Sequence, residues 1–545
     1  MHPLLIGINA KYIHTNTAVR LLWANTSHRT DTLEYTIKDD PDAIISEICK
    51  HRPLYVGFSV YIWNVELIQS IVTTLKATTE IPIVLGGPEV SYDAMHFLKS
   101  WGVDVVIKGE GEQSMDALFD YFNGECTQYA LPNASTLSHD APINEIDDLD
   151  ALASPHFLEE TNPPSTRIVY VESSRGCPYK CSYCLSSLEK SVRFFSINRV
   201  LKEIDYQLKR GVKTIKFLDR TFNANPDAPH IIDYIIDAHT PGSVFQFEMT
   251  GDTISNALVQ QIHARAPKGL FRFEIGIQST HTKTNLLVGR HQNNAKLFNT
   301  IKTILDKGII TLHLDLIAGL PQEDLTRFKQ TFNEVFALGA SELQLGFLKM
   351  LRGTRIREDA ARFAYTYDSK APYEITSNDV LSATDLTRIK NVESMLEIFH
   401  NKGYFNDTLF TLIMAYSSDA FDFFEQLYTA YTHKNMPFRG YQLDALYGFI
   451  SAFLQSLGFA QHAIDTLKWD FLGHFKIKPK PYFEKISDKA LRRSILTTLH
   501  NRETINLQTL YKHTLIAPYK GDYLVALYSG THSTLYRIKK NWLAT

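Results

Sequence analysis

The chain has 545 residues, of which 44% are apolar and 21% charged, with a net charge of −3. That length supports about three domains, and the composition is that of a globular protein rather than a disordered or fibrous one. The near-neutral balance excludes a bulk electrostatic attraction to nucleic acid or anionic lipid, and no apolar run reaches the roughly 18 residues of a membrane span.

The opening stretch, MHPLLIGINAKYIH, has no basic segment ahead of its short apolar run. It therefore reads as a first strand rather than a signal peptide, which makes the cytoplasm the expected compartment. Short β-rich runs follow at 3–8, 54–59, 81–86 and 104–108, with helical patterns at 65–77 and 91–99 between them. Strand alternating with helix predicts a doubly wound, Rossmann-like parallel sheet over residues 1–125. Residues 126–165 are turn-rich and acidic and read as a linker. Six further strand candidates lie at 168–172, 213–218, 244–248, 271–277, 310–317 and 342–348. Helical patterns such as 198–210 and 323–338 separate them, so residues 166–370 are expected to form a (β/α)6-type partial TIM barrel. Residues 371–545 read as a mostly helical extension. Its last part, 460–545, carries 14 Lys and Arg against 6 Asp and Glu. This basic, aromatic end leaves nucleic acid open as a partner, though not a favoured one.

Three of the five cysteines, Cys177, Cys181 and Cys184, fall in SSRGCPYKCSYCLSS. An odd cysteine count in a reducing compartment argues against a disulfide framework and for metal ligation. Thiolates suit zinc or iron–sulfur clusters. A structural zinc site normally takes four ligands, whereas three thiolates on a four-iron cluster leave one iron open for a substrate or cofactor. The loop follows the first expected barrel strand, so it lies at the mouth where barrel enzymes place their chemistry.

CxxxCxxC in this position resembles the radical S-adenosylmethionine (SAM) superfamily. The resemblance implies a [4Fe–4S] cluster on Cys177, Cys181 and Cys184, with SAM chelated to the open iron and cleaved by one electron to a 5′-deoxyadenosyl radical. KFLDRTF resembles the family's second-strand segment, which makes Asp219 and Arg220 candidates for the methionine amino group. Glu248 and Thr250 end the third strand and are expected to face the cofactor. EIGIQST resembles the fourth-strand motif, placing Gln278 near the ribose, and Arg290 in VGRH is expected at the SAM carboxylate. LIAGLP resembles the fifth-strand glycine motif, with Gly319 giving adenine close access to the backbone.

A doubly wound domain ahead of such a barrel resembles the cobalamin-binding subgroup. Its matching phrases are GFSVYIWN, LGGPEVS and VIKGEGEQSM. They imply a crevice for the cobalamin tail at the carboxyl ends of the strands, formed by Ser59, Gly86, Gly87 and the turn Gly109, Glu110, Gly111 and Glu112. The DxHxxG motif that supplies a cobalt-ligating histidine is lacking. Methylthiotransferases also carry an N-terminal α/β domain, but they need three further cysteines and only Cys49 and Cys126 remain. The expected function is a cobalamin-dependent radical SAM enzyme, with methyl transfer to an unactivated carbon of an unidentified substrate. The alternatives are radical rearrangement, cyclisation or oxidation without methyl transfer, and a non-enzymatic iron–sulfur redox sensor. An external one-electron donor such as flavodoxin or ferredoxin is the expected partner, with no membrane involved.

Overall fold

In a computed structural model, residues 1–158, 166–405, 408–416 and 419–543 are described. Two compact units divide the chain. The first comprises Met1–Phe328 with Gly346–Ala383, and the second Lys329–Leu345 with Thr384–Thr545.

The first unit opens with the strands β1 (Leu4–Asn9), β2 (Asp31–Thr36), β3 (Val56–Ser59), β4 (Ile83–Gly86), β5 (Val105–Ile107) and β6 (Ala134–Ser135). They form one sheet in the order β2-β1-β3-β4-β5-β6. All neighbours are parallel except β5 and β6. The strand order reverses between β1 and β3, and in such a sheet that switch point is where a crevice opens at the strand ends. Every residue of β1 and β3 is buried, as expected for strands covered on both faces. Two expectations change here. Strand β2 was not foreseen, and the expected linker over 126–165 contributes β6. From that same stretch Asn133 donates to the Glu110 carbonyl (3.0 Å), and the Ile146 amide donates to the Glu110 carboxylate (2.6 Å). Part of the stretch therefore packs on the first sheet.

The second sheet starts at β7 (Val169–Val171). A short hairpin follows, formed by β8 (Ser174–Arg175) and β9 (Arg193–Phe194), and then β10 (Thr214–Phe217), β11 (Val244–Met249), β12 (Phe271–Gln278), β13 (Thr311–Ala318) and β14 (Glu342–Phe347). The order is β14-β13-β12-β11-β10-β7, with β7 through β13 parallel. This sequential order, with helices such as Ile197–Lys209 and Asn294–Leu305 between strands, is the predicted partial barrel. A ribbon of β15 (Thr366–Tyr367) and β16 (Ile375–Ser377) follows.

The second unit is largely helical. Its helices Ala420–His433, Leu443–Ser456 and Leu467–His474 bury Phe421, Phe424, Phe453 and Phe471. It ends in a feature not foreseen from the sequence, an antiparallel sheet of β17 (Thr514–Tyr519), β18 (Asp522–Tyr528) and β19 (Ser533–Ile538). The helix Lys489–Glu503 packs on that sheet through Ile495, Leu496 and Leu499. Among the described residues no helix is long and apolar enough to cross a membrane.

Candidate cofactor sites

The cysteine loop begins where β7 ends. Gly176 has φ +92°, and a Cβ on it would lie 2.1 Å from the Ser191 carbonyl oxygen. Only glycine fits there, and the chain turns directly into Cys177. Further along, the Ser182 amide donates to the Val288 carbonyl (2.8 Å), the Ile356 amide to the Ser182 carbonyl (3.0 Å), and the Cys184 amide to the Cys181 carbonyl (3.0 Å). Cys181 is buried, Cys177 and Cys184 are half-buried, and none is in a disulfide. Burial pushes the Cys177 thiol pKa up, and the neighbouring thiols of Cys184 and Cys181 add to the rise. Bound metal would reverse that by deprotonating its thiol ligands. The Arg290 and Arg220 guanidiniums lie close enough to Cys181 and Cys184, respectively, to interact with them electrostatically.

Among the described residues no three His, Cys, Asp or Glu side chains are gathered tightly enough to hold a single ion. A four-iron cube spreads its ligands over separate irons, so the loop need not bring its sulfurs to one point. Three free thiols on one pinned loop, beside two cations, fit such a cluster.

The other residues singled out on the barrel fall into three groups. Arg220 lies at the carboxyl end of β10 with its side chain 57% exposed, and its guanidinium is 3.6 Å from Glu248. Glu248 also faces Lys216 at 3.6 Å. Gln278 ends β12 with φ +67°, and its buried Oε1 has no hydrogen-bond partner among the described residues. Arg290 donates to the Gly276 carbonyl and to Gln292 (2.9 Å). These four surround the barrel mouth. Thr250 is anchored by its backbone, with its amide donating to Asn223 (3.0 Å) and its carbonyl accepting from that side chain (3.0 Å).

Two of the residues expected at the cofactor make close contacts within the protein. Asp219 points inward and is buried, where its carboxylate accepts from the Ser173 amide (2.9 Å), the Ser173 hydroxyl (2.5 Å) and the Ser174 hydroxyl (2.6 Å). Burial pushes its pKa up to about 6 against those bonds. Asp219 therefore anchors the root of the cysteine loop. At Gly319, with φ +95°, a Cβ would lie 1.9 Å from Ile375 Cδ1, and its carbonyl accepts from Tyr365 (2.8 Å). The close approach the structure shows there is to Ile375.

In the first sheet a cavity of about 510 Å³, part of it open to solvent, runs along β3. Tyr55, Gly57 and Ser59 all line it, which is the period-two face of one strand. Phe58 lines it too, so the cavity follows this strand from Tyr55 to Ser59. Gly86, Gly87, Gly109 and Gly111 form its rim. Gly87 has φ +107°, and a Cβ on it would lie 2.6 Å from the Val60 carbonyl. The Tyr55 hydroxyl is buried without a hydrogen-bond partner among the described residues. An apolar, glycine-lined slot with one buried donor that has no partner among the described residues fits the nucleotide tail of cobalamin. In the Gly109–Glu112 turn the two glycines line the slot, whereas Glu110 and Glu112 turn away to pair with Arg175 at 3.1 and 2.7 Å. A carboxylate leaving water settles on a guanidinium, and the sequence does not show that partner 65 residues away.

A second cavity, of about 1040 Å³ counting the space open to solvent, is lined from both sheets. Asn9 ends β1, His14, Tyr61 and Trp63 come from the loops after β1 and β3, and Tyr170, Glu172 and Arg220 come from the barrel. Tyr61 and Trp63 stack with ring centroids 4.3 Å apart. His14 Nδ1 lies 2.6 Å from the Tyr170 hydroxyl, and burial, then Lys11 and Lys216, lower its pKa. Sequence reasoning missed Tyr55, Arg175, His14 and Tyr170. The alternation of 55, 57 and 59 along β3 was a legible signal for the first of them.

The comparisons with known proteins divide the chain in the same way. The model for the radical SAM superfamily matches residues 171–335, so the chain carries a radical SAM domain. The model for the B12 binding domain matches 4–119, and that for a protein of unknown function, DUF4080, matches 361–521. The three models thus match the N-terminal sheet, the barrel and the C-terminal region in turn. It is 25% identical over 293 residues to the "Uncharacterized methyltransferase PH0819" of Pyrococcus horikoshii, covering 51% of this chain and 62% of that protein. It is 23% identical over 312 residues to the "Cobalamin-dependent radical SAM methyltransferase TokK" of Streptomyces tokunonensis, covering 53% and 46%. The chain thus spans about half to three fifths of these curated relatives. The cobalamin-dependent SAM radical enzyme OxsB, solved with aqua-cobalamin and SAM, shares the fold with a TM-score of 0.58 and 14% identity, over 86% of this chain and 79% of that one.

Proposed function

We propose that the protein is a cobalamin-dependent radical SAM methyltransferase. The observation that carries this reading is the cavity lined from both sheets, because the carboxyl ends of β1 and β3 and those of β7 and β10 meet around it. When bound, the [4Fe–4S] cluster, SAM and cobalamin supply radical hydrogen abstraction and methyl transfer. Cys177, Cys181 and Cys184 hold the cluster. Arg290, beside Cys181, receives the SAM carboxylate. Glu248, with Arg220 and Lys216 at its side, receives the amino group, and the free acceptor of Gln278 receives the ribose. Asp219 positions the loop. Ser59, the rim glycines and Tyr55 take the corrinoid tail, and the stacked Tyr61–Trp63 pair screens the chamber from water. A reductant protein delivers the electron, and the substrate is a molecule small enough, or a group slender enough, to enter the chamber.

Anaerobic reconstitution followed by product analysis tests this. With methyl-labelled SAM and a cell extract as substrate source, S-adenosylhomocysteine and 5′-deoxyadenosine are expected in comparable amounts. Cys181→Ala is expected to lose the iron and all 5′-deoxyadenosine. Formation of 5′-deoxyadenosine without S-adenosylhomocysteine, and with no labelled product, would reject methyl transfer.

A further inference from the structure

We propose that Arg175 is a positioning residue that links the two cofactor sites, so that filling the corrinoid slot and assembling the cluster strengthen one another. The inference rests on the function proposed above. Strands β8 and β9 form the stem that closes the cysteine loop, and Arg175 and Arg193 are register partners across it. Both grip the turn that rims the slot. Arg175 donates to Glu110 (3.1 Å), Glu112 (2.7 Å) and Glu172 (3.1 Å). Arg193 donates to Glu110 through two nitrogens (2.8 and 3.0 Å) and lies 3.7 Å from Glu145.

The side chains of Arg175, Arg193 and Glu112 are each no more than 10% exposed. Burial alone would raise the Glu110 pKa, but the Arg193 hydrogen bonds and the charge of Arg175 outweigh it and hold the carboxyl below its ordinary value. In this turn the alternate residues face opposite ways. Gly109 and Gly111 line the slot, while Glu110 and Glu112 hold the stem. Two residues after Arg175 comes Cys177. Because a buried ion pair tolerates little displacement before a charge is left uncompensated, a turn fixed by an occupied slot also fixes the stem. Coupling between two binding sites is reciprocal.

A second clamp supplies the control. Glu89, two residues past the Gly86–Gly87 rim, pairs with Arg352 at 3.0 Å, and Arg352 also holds Asp93 at 2.5 Å. This clamp ties the slot to the segment after the barrel and not to the stem of the cysteine loop.

The test is the affinity of the full-length chain for hydroxocobalamin, measured anaerobically by equilibrium dialysis before and after cluster reconstitution. The wild type is expected to bind between about five- and a hundredfold more tightly with the cluster in place. In Arg175→Lys, which keeps the charge but loses the planar fork, the ratio is expected to fall to within twofold. Glu112→Gln is expected to do the same and serves if the first variant fails to hold a cluster. Arg352→Lys is expected to shift both affinities together and keep the ratio. A wild-type ratio of one, a ratio retained in both stem variants, or its loss to the same degree in Arg352→Lys would each overturn the coupling. A protein that takes up cluster and hydroxocobalamin independently loses this inference alone, whereas one that takes up no hydroxocobalamin loses the proposed function as well.

Discussion

The two parallel sheets of the first unit treat their surfaces in opposite ways. In the N-terminal sheet β1 and β3 are buried along their whole length, and space appears only where Gly57 and Gly86 remove side chains. In the barrel, β12 and β13 alternate strictly between buried and half-buried residues. Phe271, Phe273 and Ile275 pack outward against the helices, while Arg272, Glu274 and Gln278 face in. That inner face is charged and laterally paired: Lys216 lies 2.8 Å from Glu274, and His313 lies 3.1 Å from Asp315. One sheet therefore offers a ligand shape, where it lacks side chains. The other offers charge and hydrogen bonding across a whole face.

The sharpest way to break this contrast is to fill the slot. A Cβ on Gly86 would lie 3.7 Å from Ile107, so Gly86→Leu enters the slot without straining the backbone. Saturable hydroxocobalamin binding is expected to disappear while the iron content of reconstituted protein stays at the wild-type level. Binding at wild-type affinity would show that shape at this rim does not select the ligand.

The charge-based side of the contrast is tested at Asp219. Its pKa is raised by burial to about 6, above the ordinary 3.9. A carboxyl raised on folding stabilises the fold below its unfolded pKa, and that contribution is lost as pH rises through the folded value. The stability of the cluster-free wild type relative to Asp219→Asn is therefore expected to fall between about pH 4 and pH 6, by up to about 3 kcal/mol, and to be flat above that. Chemical denaturation of both proteins across this range checks it. A difference independent of pH would mean that Asp219 stays ionised throughout.

The same contrast explains what the sequence disclosed. All six barrel strands were legible, because a strand between an apolar helix layer and a charged interior alternates with period two, as in FRFEIGIQ. The core strands of the first sheet were legible as unbroken apolar runs. Strand β2, DTLEYT, is half-buried throughout at an edge and carries neither signature. The three C-terminal strands are short and lie in a Lys-rich stretch, although the turn at Lys520–Gly521, both with positive φ, was visible as PYKGDY. At the site, the cysteines were legible because ligand spacing is local. The glutamates of the GEGE turn were identified but their pairing with Arg175 and Arg193 was not, since an ion pair across 63 to 83 residues leaves no local mark. Gly319 resembled a ligand contact because a tight approach to Ile375 demands the same absence of a Cβ.

Tyr55 offers the smallest effect and the most discriminating sign. Its side chain is fully buried, and its hydroxyl has no hydrogen-bond partner among the described residues. A buried hydroxyl without a partner costs about 1–3 kcal/mol. Removing it by Tyr55→Phe is thus expected to raise the stability of the cofactor-free chain by about 1 kcal/mol. If the hydroxyl donates to the corrinoid tail, the same change removes one hydrogen bond from the complex. A net value of about 0.5–1.5 kcal/mol predicts hydroxocobalamin binding weaker by roughly two- to twelvefold. Ser59, on the same strand face, behaves differently: its hydroxyl already accepts from Asn16 at 3.0 Å, so Ser59→Ala is expected to lower the stability of the free chain by leaving that amide unsatisfied. Thermal unfolding of the cofactor-free proteins and dialysis with hydroxocobalamin separate the two residues. A Tyr55→Phe protein that is less stable than wild type, or that binds hydroxocobalamin equally well, would show that the hydroxyl has a partner other than the tail.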